Sequence, residues 1–221
     1  VCRLAACAFV RLVVRMSLLS DVAAEVRVCT LCELSLTRTN AVPGTGPEDA
    51  EVVFIGEGPG WHEDQQGLPF VGASGKFLTE LIQRAGLQRE DVFITNVVKC
   101  RPPGNRDPLP DEMEACAPYL NHQIDTIDPL VVVTLGRFSM SRYFPNERIS
   151  RIHGQPRKSG RRTVVPMYHP AAALHQGSLR GAIEEDFDQL GKFIAKARSE
   201  RNKEELPAPE DVPAHEQMKL F

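Results

Sequence analysis

Apolar residues fall into two rhythms along this chain, helical spacing and short continuous runs, and the two alternate. From Leu18 to Val28 the apolar positions recur at helical spacing and stop just before Cys29. Glu51 to Gly56 (EVVFIG) is a short, largely β-branched run, as a strand buried on both faces requires. Phe77, Leu78, Leu81, Ile82 and Ala85 then mark a helix ending at Gly86, a residue suited to the left-handed turn after a helix. Asp91 to Val98 (DVFITNVV) predicts a second strand. Pro110 opens the next helix, where its missing N–H breaks no hydrogen bond, and Met113, Cys116, Leu120, Ile124 and Ile127 lie along it. Leu130 to Leu135 and Thr163 to Tyr168 predict a third and a fourth strand, separated by a short helix and a basic loop. Leu179, Ile183, Phe187, Leu190 and Ile194 share one face of a final amphipathic helix.

Strands alternating with helices predict an α/β fold, three-layer α/β/α with a small four-stranded parallel sheet. The length of 221 residues suits one domain with a tail, read as residues 16–198. Residues 199–221 are polar and Pro-spaced and bury too little to fold, so a disordered tail is expected. Residues 1–15 are apolar but dotted with Arg, too short and too charged to span a membrane. They read as a non-native or upstream-translated extension, because Met16 and the following SLLSDVAAEV resemble a natural start. With no longer apolar stretch, a cytoplasmic protein without a membrane partner is expected, working as a monomer.

The net charge of −3 does not by itself point to nucleic acid. Its distribution changes the picture: between Arg137 and Arg162 the only acid is Glu147, against a run of arginines and Lys158. Such a stretch fits either a solvated basic loop or a phosphate-facing surface. Six cysteines in a chain of this size do not read as a secreted disulfide framework. Cys29 and Cys32, two residues apart in between, and Cys100 and Cys116 have metal-ligand spacing, while Cys2 and Cys7 stand apart. Spacing alone fits tetrahedral zinc and a [4Fe–4S] cluster equally.

Open α/β sheets bind ligands at the carboxyl ends of their strands. The first strand ends in Gly56-Glu57-Gly58-Pro59-Gly60, the second carries Asn96, and the fourth leads into His169-Pro170. A carboxylate, an amide and an imidazole are therefore predicted to converge on one edge.

Four blocks in order, GEGPG (56–60), GLPFVGASG (67–75), TNVVKCRPPGNRDP (95–108) and MYHPAAALH (167–175), accompany the four spaced cysteines. Together they resemble the uracil-DNA glycosylase superfamily, and within it family 4, the iron–sulfur enzymes, from about Cys29 to Leu190. The resemblance implies a monofunctional DNA repair hydrolase that flips uracil out of DNA, cleaves its N-glycosidic bond and leaves an abasic site, working at the nucleoid. It makes His169 the donor to uracil O2 and Glu57 the anion near the sugar, with Glu63 and Asp64 as alternative carboxylates. Asn96 would read the uracil edge, accepting from N3–H and donating to O4, with Gly58 and Phe70 completing the uracil site and Phe70 as its stacking platform. Cytosine reverses both polarities, and each mispaired buried group costs roughly 1–3 kcal/mol. Gly58 stands where another branch of the superfamily has an aspartate, and Gly60 where that branch has a thymine-excluding tyrosine, so thymine must be excluded from elsewhere, with Glu63 the candidate.

The resemblance also favours [4Fe–4S] over zinc at Cys29, Cys32, Cys100 and Cys116, in a structural role that holds the Lys99–Asp111 loop near DNA. Lys99, Arg101 and Arg151 are expected to contact DNA, and Leu174 to wedge into the duplex. Ser150-Arg151-Ile152-His153 is similar to a loop of relatives that crosslink covalently to uracil DNA, but lies before the fourth strand rather than after the second. A turnover enzyme is therefore expected, the alternatives being a crosslinking relative or an inactive iron–sulfur DNA-binding module. Gln217, Leu220 and Phe221, in the terminal QMKLF, resemble the pentapeptide by which bacterial proteins bind the replication sliding clamp.

Overall fold

β1 (Val52–Gly56) is buried at every position and occupies the interior of the sheet in the computed structural model, which describes residues 18–205. β2 (Phe93–Asn96) pairs with it on one side and β3 (Val131–Leu135) on the other, both parallel. β5 (Arg162–Met167) extends the parallel sheet beyond β3. The fifth strand, β4 (Arg157–Ser159), was not expected; it pairs antiparallel with β5 at the edge. Its three residues, Arg-Lys-Ser, carry no apolar rhythm, and it forms because Gly160, at φ +59, turns the chain back on itself.

Alternate residues of each strand face opposite layers. Val52, Phe54, Val131, Val133, Val165 and Met167 pack with α4 (Ala73–Arg84), α8 (Pro170–His175) and α9 (Arg180–Glu205). The Phe54 and Phe187 rings stack there, 6.1 Å between centroids. Val53, Ile55, Val132 and Val164 pack with α1 (Leu18–Val28) and α5 (Pro110–Ile127). The continuous apolar strands are thus explained by helices on both faces. Among the described residues no helix is long and apolar enough to cross a membrane.

α9 continues to Glu205, past the domain end expected near residue 198. Polar contacts hold the extra turns: Arg201 donates to the Asp128 carbonyl at 2.9 Å and to its carboxylate at 3.2 Å, and Lys158 pairs with Glu200 at 2.7 Å. An apolar-periodicity reading misses a segment anchored by ions. Residues 1–15 with Cys2 and Cys7, and the terminal Gln217, Leu220 and Phe221, lie outside the described residues.

Smaller elements surround the strand ends: α2 (Leu34–Thr37) before β1, α3 (Trp61–Gln66) after it, and α6 (Arg137–Ser141) and α7 (Ile149–Ile152) between β3 and β4.

Candidate active site

The chain leaves β1 toward β2 on one side and returns to β3 on the other, so a crevice opens at the carboxyl end of β1. Register does the placing. Gly56 pairs with Asn96, and Leu135 with Met167, two residues short of His169. Beyond the ladder, Val97 and Val98 donate to the carbonyls of Gly56 and Glu57 at 3.0 and 3.1 Å, tying the GEGPG loop to the end of β2. Glu57, Gly58, Phe70, Asn96 and His169 consequently line one cavity of about 470 Å³, as the strand-end convergence predicts.

Close packing shapes its floor. A Cβ on Gly56 would lie 2.3 Å from Asn96 Oδ1 and 2.6 Å from the Phe70 ring, so glycine is required there. Phe70 is buried and adopts φ +53, a left-handed conformation costly for a bulky residue. The surroundings impose it: Arg89 donates to the carbonyls of Pro69 and Phe70 at 2.8 and 3.1 Å, and Glu63 accepts from the N–H groups of Val71 and Gly72, both at 2.9 Å. Asn96 is 2 % exposed, yet its Oδ1 has no hydrogen-bond partner.

His169 caps α8, its Nδ1 accepting from the Ala171 N–H at 3.1 Å. Burial pulls the imidazole down to about 4, with Glu63 opposing the shift. The ring is therefore neutral at physiological pH, and because Nδ1 accepts, the single proton sits on Nε2. Its ring stacks near Phe70, 5.5 Å between centroids. Gly136, at φ +91, stands 3.2 Å in Cβ position from the His169 Cβ, so the exit of β3 clears space for the imidazole; no sequence pattern marked it.

Burial pushes the Glu57 carboxyl above its usual value, Asp107 adds to the shift and Arg137 opposes it. Of the two alternative carboxylates, Glu63 lines the cavity but is engaged in holding the Phe70 loop. Asp64 does not face the cavity: it is 2 % exposed and accepts from the Thr39 N–H at 2.8 Å, because the next position on α3 is turned by about 100° from Glu63. A Cβ on Gly60 would meet Glu63 Oε2 at 2.8 Å, so the Glu63 carboxylate fills the space that a side chain at position 60 would take.

Pro102, Asn105, Arg106 and Asp107 form one wall, which brings the RPPGNRDP loop to the cavity mouth. Arg101 is partly exposed beside it and bonds Asn105 Oδ1 at 2.7 Å. Leu174 is 50 % exposed on α8, next to the lining residue His175. Arg151 is exposed on α7 and does not line the cavity. His153 is also outside the lining: it bonds Asp186 at 2.8 Å and packs on Tyr168.

Lys99 is corrected outright. It is 1 % exposed and cannot reach DNA; its Nζ donates to Thr95 Oγ1, Asn96 O and Gln123 Oε1 at 2.6, 2.9 and 2.8 Å. Burial pulls its pKa down to about 7, with Arg142 adding to the shift and Cys116 opposing it.

Cys29 and Cys32 follow α1, Cys100 follows β2, and Cys116 lies on α5, whose packing on α1 gathers all four around one small cavity of about 10 Å³. The sulfurs accept N–H groups: Arg38 Nη1 to Cys100 at 3.0 Å, the Lys99 amide to Cys116 at 3.4 Å, the Leu31 amide to Cys29 at 3.5 Å, and the Leu34 amide to Cys32. Burial raises the thiols of Cys32 and Cys100 and takes Cys116 up to about 11, neighbouring sulfurs adding to each shift. Among the described residues no group of three or more His, Cys, Asp or Glu is placed to hold a single metal ion. Sequence reading had no signal for Arg38, which lies far from its cysteine along the chain.

Residues 43–194 match the model of the family described as Uracil DNA glycosylase superfamily. The chain is similar to the Type-4 uracil-DNA glycosylase of Archaeoglobus fulgidus, 47% identical over 190 residues, which cover 82% of this chain and 96% of that one. The protein of the same name from Sulfurisphaera tokodaii is 49% identical over 185 residues, 79% of this chain and 84% of that one. The Thermotoga maritima protein of that name is 44% identical over 187 residues, 82% of this chain and 97% of that one.

Proposed function

The chain belongs to the uracil-DNA glycosylase superfamily, and from that premise we propose that it excises uracil from DNA as a monofunctional hydrolase of the iron–sulfur type. Uracil flipped from the duplex enters the strand-end cavity and lies against Phe70. The observation that carries the reading is Asn96 Oδ1, a buried acceptor without a donor, next to the aromatic floor. An unmet buried acceptor is costly, and uracil N3–H satisfies it where cytosine N3, itself an acceptor, does not.

Departure of the base leaves positive charge on the sugar and negative charge on uracil. His169 Nε2–H meets the negative charge at O2, its direction fixed by the Ala171–Nδ1 bond. Glu57 is the anion facing the sugar cation, and its poor solvation strengthens that attraction. Glu63 stands beside Gly60 and excludes the methyl group of thymine. Leu174 and Arg101 meet the DNA around the mouth, and Arg151 meets phosphate further out. Incubation with single- and double-stranded oligonucleotides carrying one uracil should release the free base and leave alkali-labile sites; absence of both rejects the activity. Because His153 is turned to Asp186, the product should leave the enzyme, and a covalent protein–DNA band on a denaturing gel would overturn that reading.

Cys29, Cys32, Cys100 and Cys116 would hold a [4Fe–4S] cluster. Four cysteines lining one cavity offer the thiolate set that either zinc or such a cluster takes, and the likeness to the iron–sulfur family is what favours the cluster. When bound, the cluster supplies a covalent tie between α1, the β2 exit and α5 rather than a step of the reaction. Iron and sulfide analysis of anaerobically purified protein tests this, and stoichiometric zinc without iron refutes it. The terminal Gln217–Phe221 segment, with Leu220 and Phe221 as apolar anchors, is proposed to bind the replication sliding clamp, and the enzyme is proposed to work at the nucleoid as a monomer. Deleting Met218–Phe221 should abolish clamp binding in a pull-down; equal binding by both forms, or by neither, rejects it.

A further inference from the structure

Asn96 presents an amide that the protein itself leaves without a partner at Oδ1, so its aim must come from its backbone and its neighbours. The backbone at that point is weakly supported by the sheet. β2 is an edge strand, with β1 on one side and only the isolated Thr45–Ile94 bridge on the other. What stands on the open side is a lysine. The Nζ of Lys99 bonds the Asn96 carbonyl at 2.9 Å, and Thr95 Oγ1 and Gln123 Oε1 at 2.6 and 2.8 Å. Gln123 is anchored in turn, donating to Pro43 O at 2.7 Å, and Thr95 Oγ1 donates to the same carbonyl at 3.1 Å. Through its main chain, Lys99 also faces the other way: its N–H donates to Cys116 Sγ at 3.4 Å, and its carbonyl accepts from Val42 at 2.7 Å.

Withdrawing an amine from water is expensive, and a side chain 1 % exposed could be apolar at lower cost if filling space were its task. We propose that Lys99 is a positioning residue for base recognition: one end is fastened to the four-cysteine nest and the other braces the carbonyl of Asn96. The brace rests on the reading of Asn96 as the uracil-reading amide. It makes the cysteine nest part of the machinery of recognition through a definite route, cysteine to Lys99 main chain, Lys99 side chain to Asn96.

The test is a double-substitution cycle on the iron-loaded full chain, read as the single-turnover rate of uracil release. Lys99→Met should slow release by about 10²-fold, as a small misplacement of a reacting group does, with unchanged visible absorbance of the cluster and unchanged affinity for uracil DNA. Gln123→Met, on α5 and away from any cysteine in sequence, should slow it in the same direction by less, and it carries the test if Lys99→Met does not fold. In an Asn96→Ala background neither substitution should slow release further, because the group they position is gone. Equal losses in both backgrounds would overturn the brace, since general weakening of the fold acts whether or not Asn96 is present. Loss of cluster absorbance in step with the rate, in both variants, would overturn it as well. An Asn96→Ala protein that releases uracil at the normal rate fails the base-reading assignment instead, whatever Lys99 does.

Discussion

The strand-end pocket and the cysteine nest share the segment from Asn96 to Cys116, yet they treat polar groups in opposite ways. In the pocket, groups are left wanting. Asn96 Oδ1 has no donor, Glu57 is pushed toward its neutral form by burial, and Phe70 is held at φ +53. In the nest, groups are provided for: Cys100, Cys116 and Cys29 each receive an N–H, and the Lys99 amine above them has three acceptors. The difference separates two roles. A binding site keeps its groups unpaired so that the ligand satisfies them, and such sites cost stability. A scaffold satisfies its groups in advance and is rigid for that reason. Substitutions in the pocket should therefore damage chemistry and spare the fold, and substitutions of the groups that bond the sulfurs should do the reverse, with Lys99 set apart because its amine reaches across to the Asn96 carbonyl.

The largest test of that division is His169→Ala. His169 lines the pocket with the direction of its Nε2–H set by the Ala171 bond to Nδ1 at 3.1 Å. Removing a donor aimed at developing negative charge costs about 10²–10³ in rate. Single-turnover kinetics should show that loss with the melting temperature lowered by no more than a few degrees, the cost of losing the cap on α8. A melting temperature lowered by many degrees, with a rate loss explained by unfolding, would erase the contrast between the two regions.

The site was legible where it depends on strand ends and opaque where it depends on distant partners. Glu57, Asn96 and His169 could be placed from apolar runs alone, because a parallel sheet delivers every strand's carboxyl end to the same edge. The cysteine grouping was legible from spacing. Lys99 was misread because a lysine in a basic loop is usually solvated, and nothing local announces that Thr95 and Gln123 will receive it. Arg89 under Phe70, Arg38 on Cys100 and Gly136 beside His169 are pairings across long stretches of chain, which periodicity does not encode. The edge strand Arg157–Ser159 and the final turns of α9 escaped for a related reason: polar residues and ion pairs build them, not buried apolar faces.

A smaller effect probes the nest. Arg38 Nη1 donates to Cys100 Sγ at 3.0 Å while Nη2 holds the Arg27 carbonyl at 3.0 Å, so one guanidinium ties the sulfur to the end of α1. Arg38→Met keeps the length of the stem and removes both bonds. Hydrogen bonds of a charged donor contribute about 1.5–3 kcal/mol where they are buried, and this partly exposed pair should give the lower part of that range. Denaturant titration of the iron-loaded protein should show the loss, together with faster bleaching of the cluster by oxygen. Uracil release, measured before bleaching, should stay near the normal rate; a loss there as large as that of His169→Ala would place the nest inside the chemistry.

Glu57→Gln gives the smallest change in stability and the clearest sign. Burial raises the folded-state pKa of Glu57 above its unfolded value near 4.5, Asp107 adding and Arg137 opposing. The fold therefore disfavours the anion, so above the raised pKa this group lowers stability, and the penalty disappears as pH falls through it. In the role proposed for Glu57 chemistry runs the other way, because only the anion would attract the sugar cation. For the wild type, the rate of release should fall over a pH range where the contribution of Glu57 to stability rises. His169 does not produce that limb, since its imidazole stays neutral down to about 4. Glu57→Gln should be slower at neutral pH, marginally more heat-stable there, and without the acid limb above about 4. A substituted protein that keeps both the limb and the full rate would remove Glu57 from the reaction, and the pocket would lose the carboxylate whose strained burial marks it off from the nest.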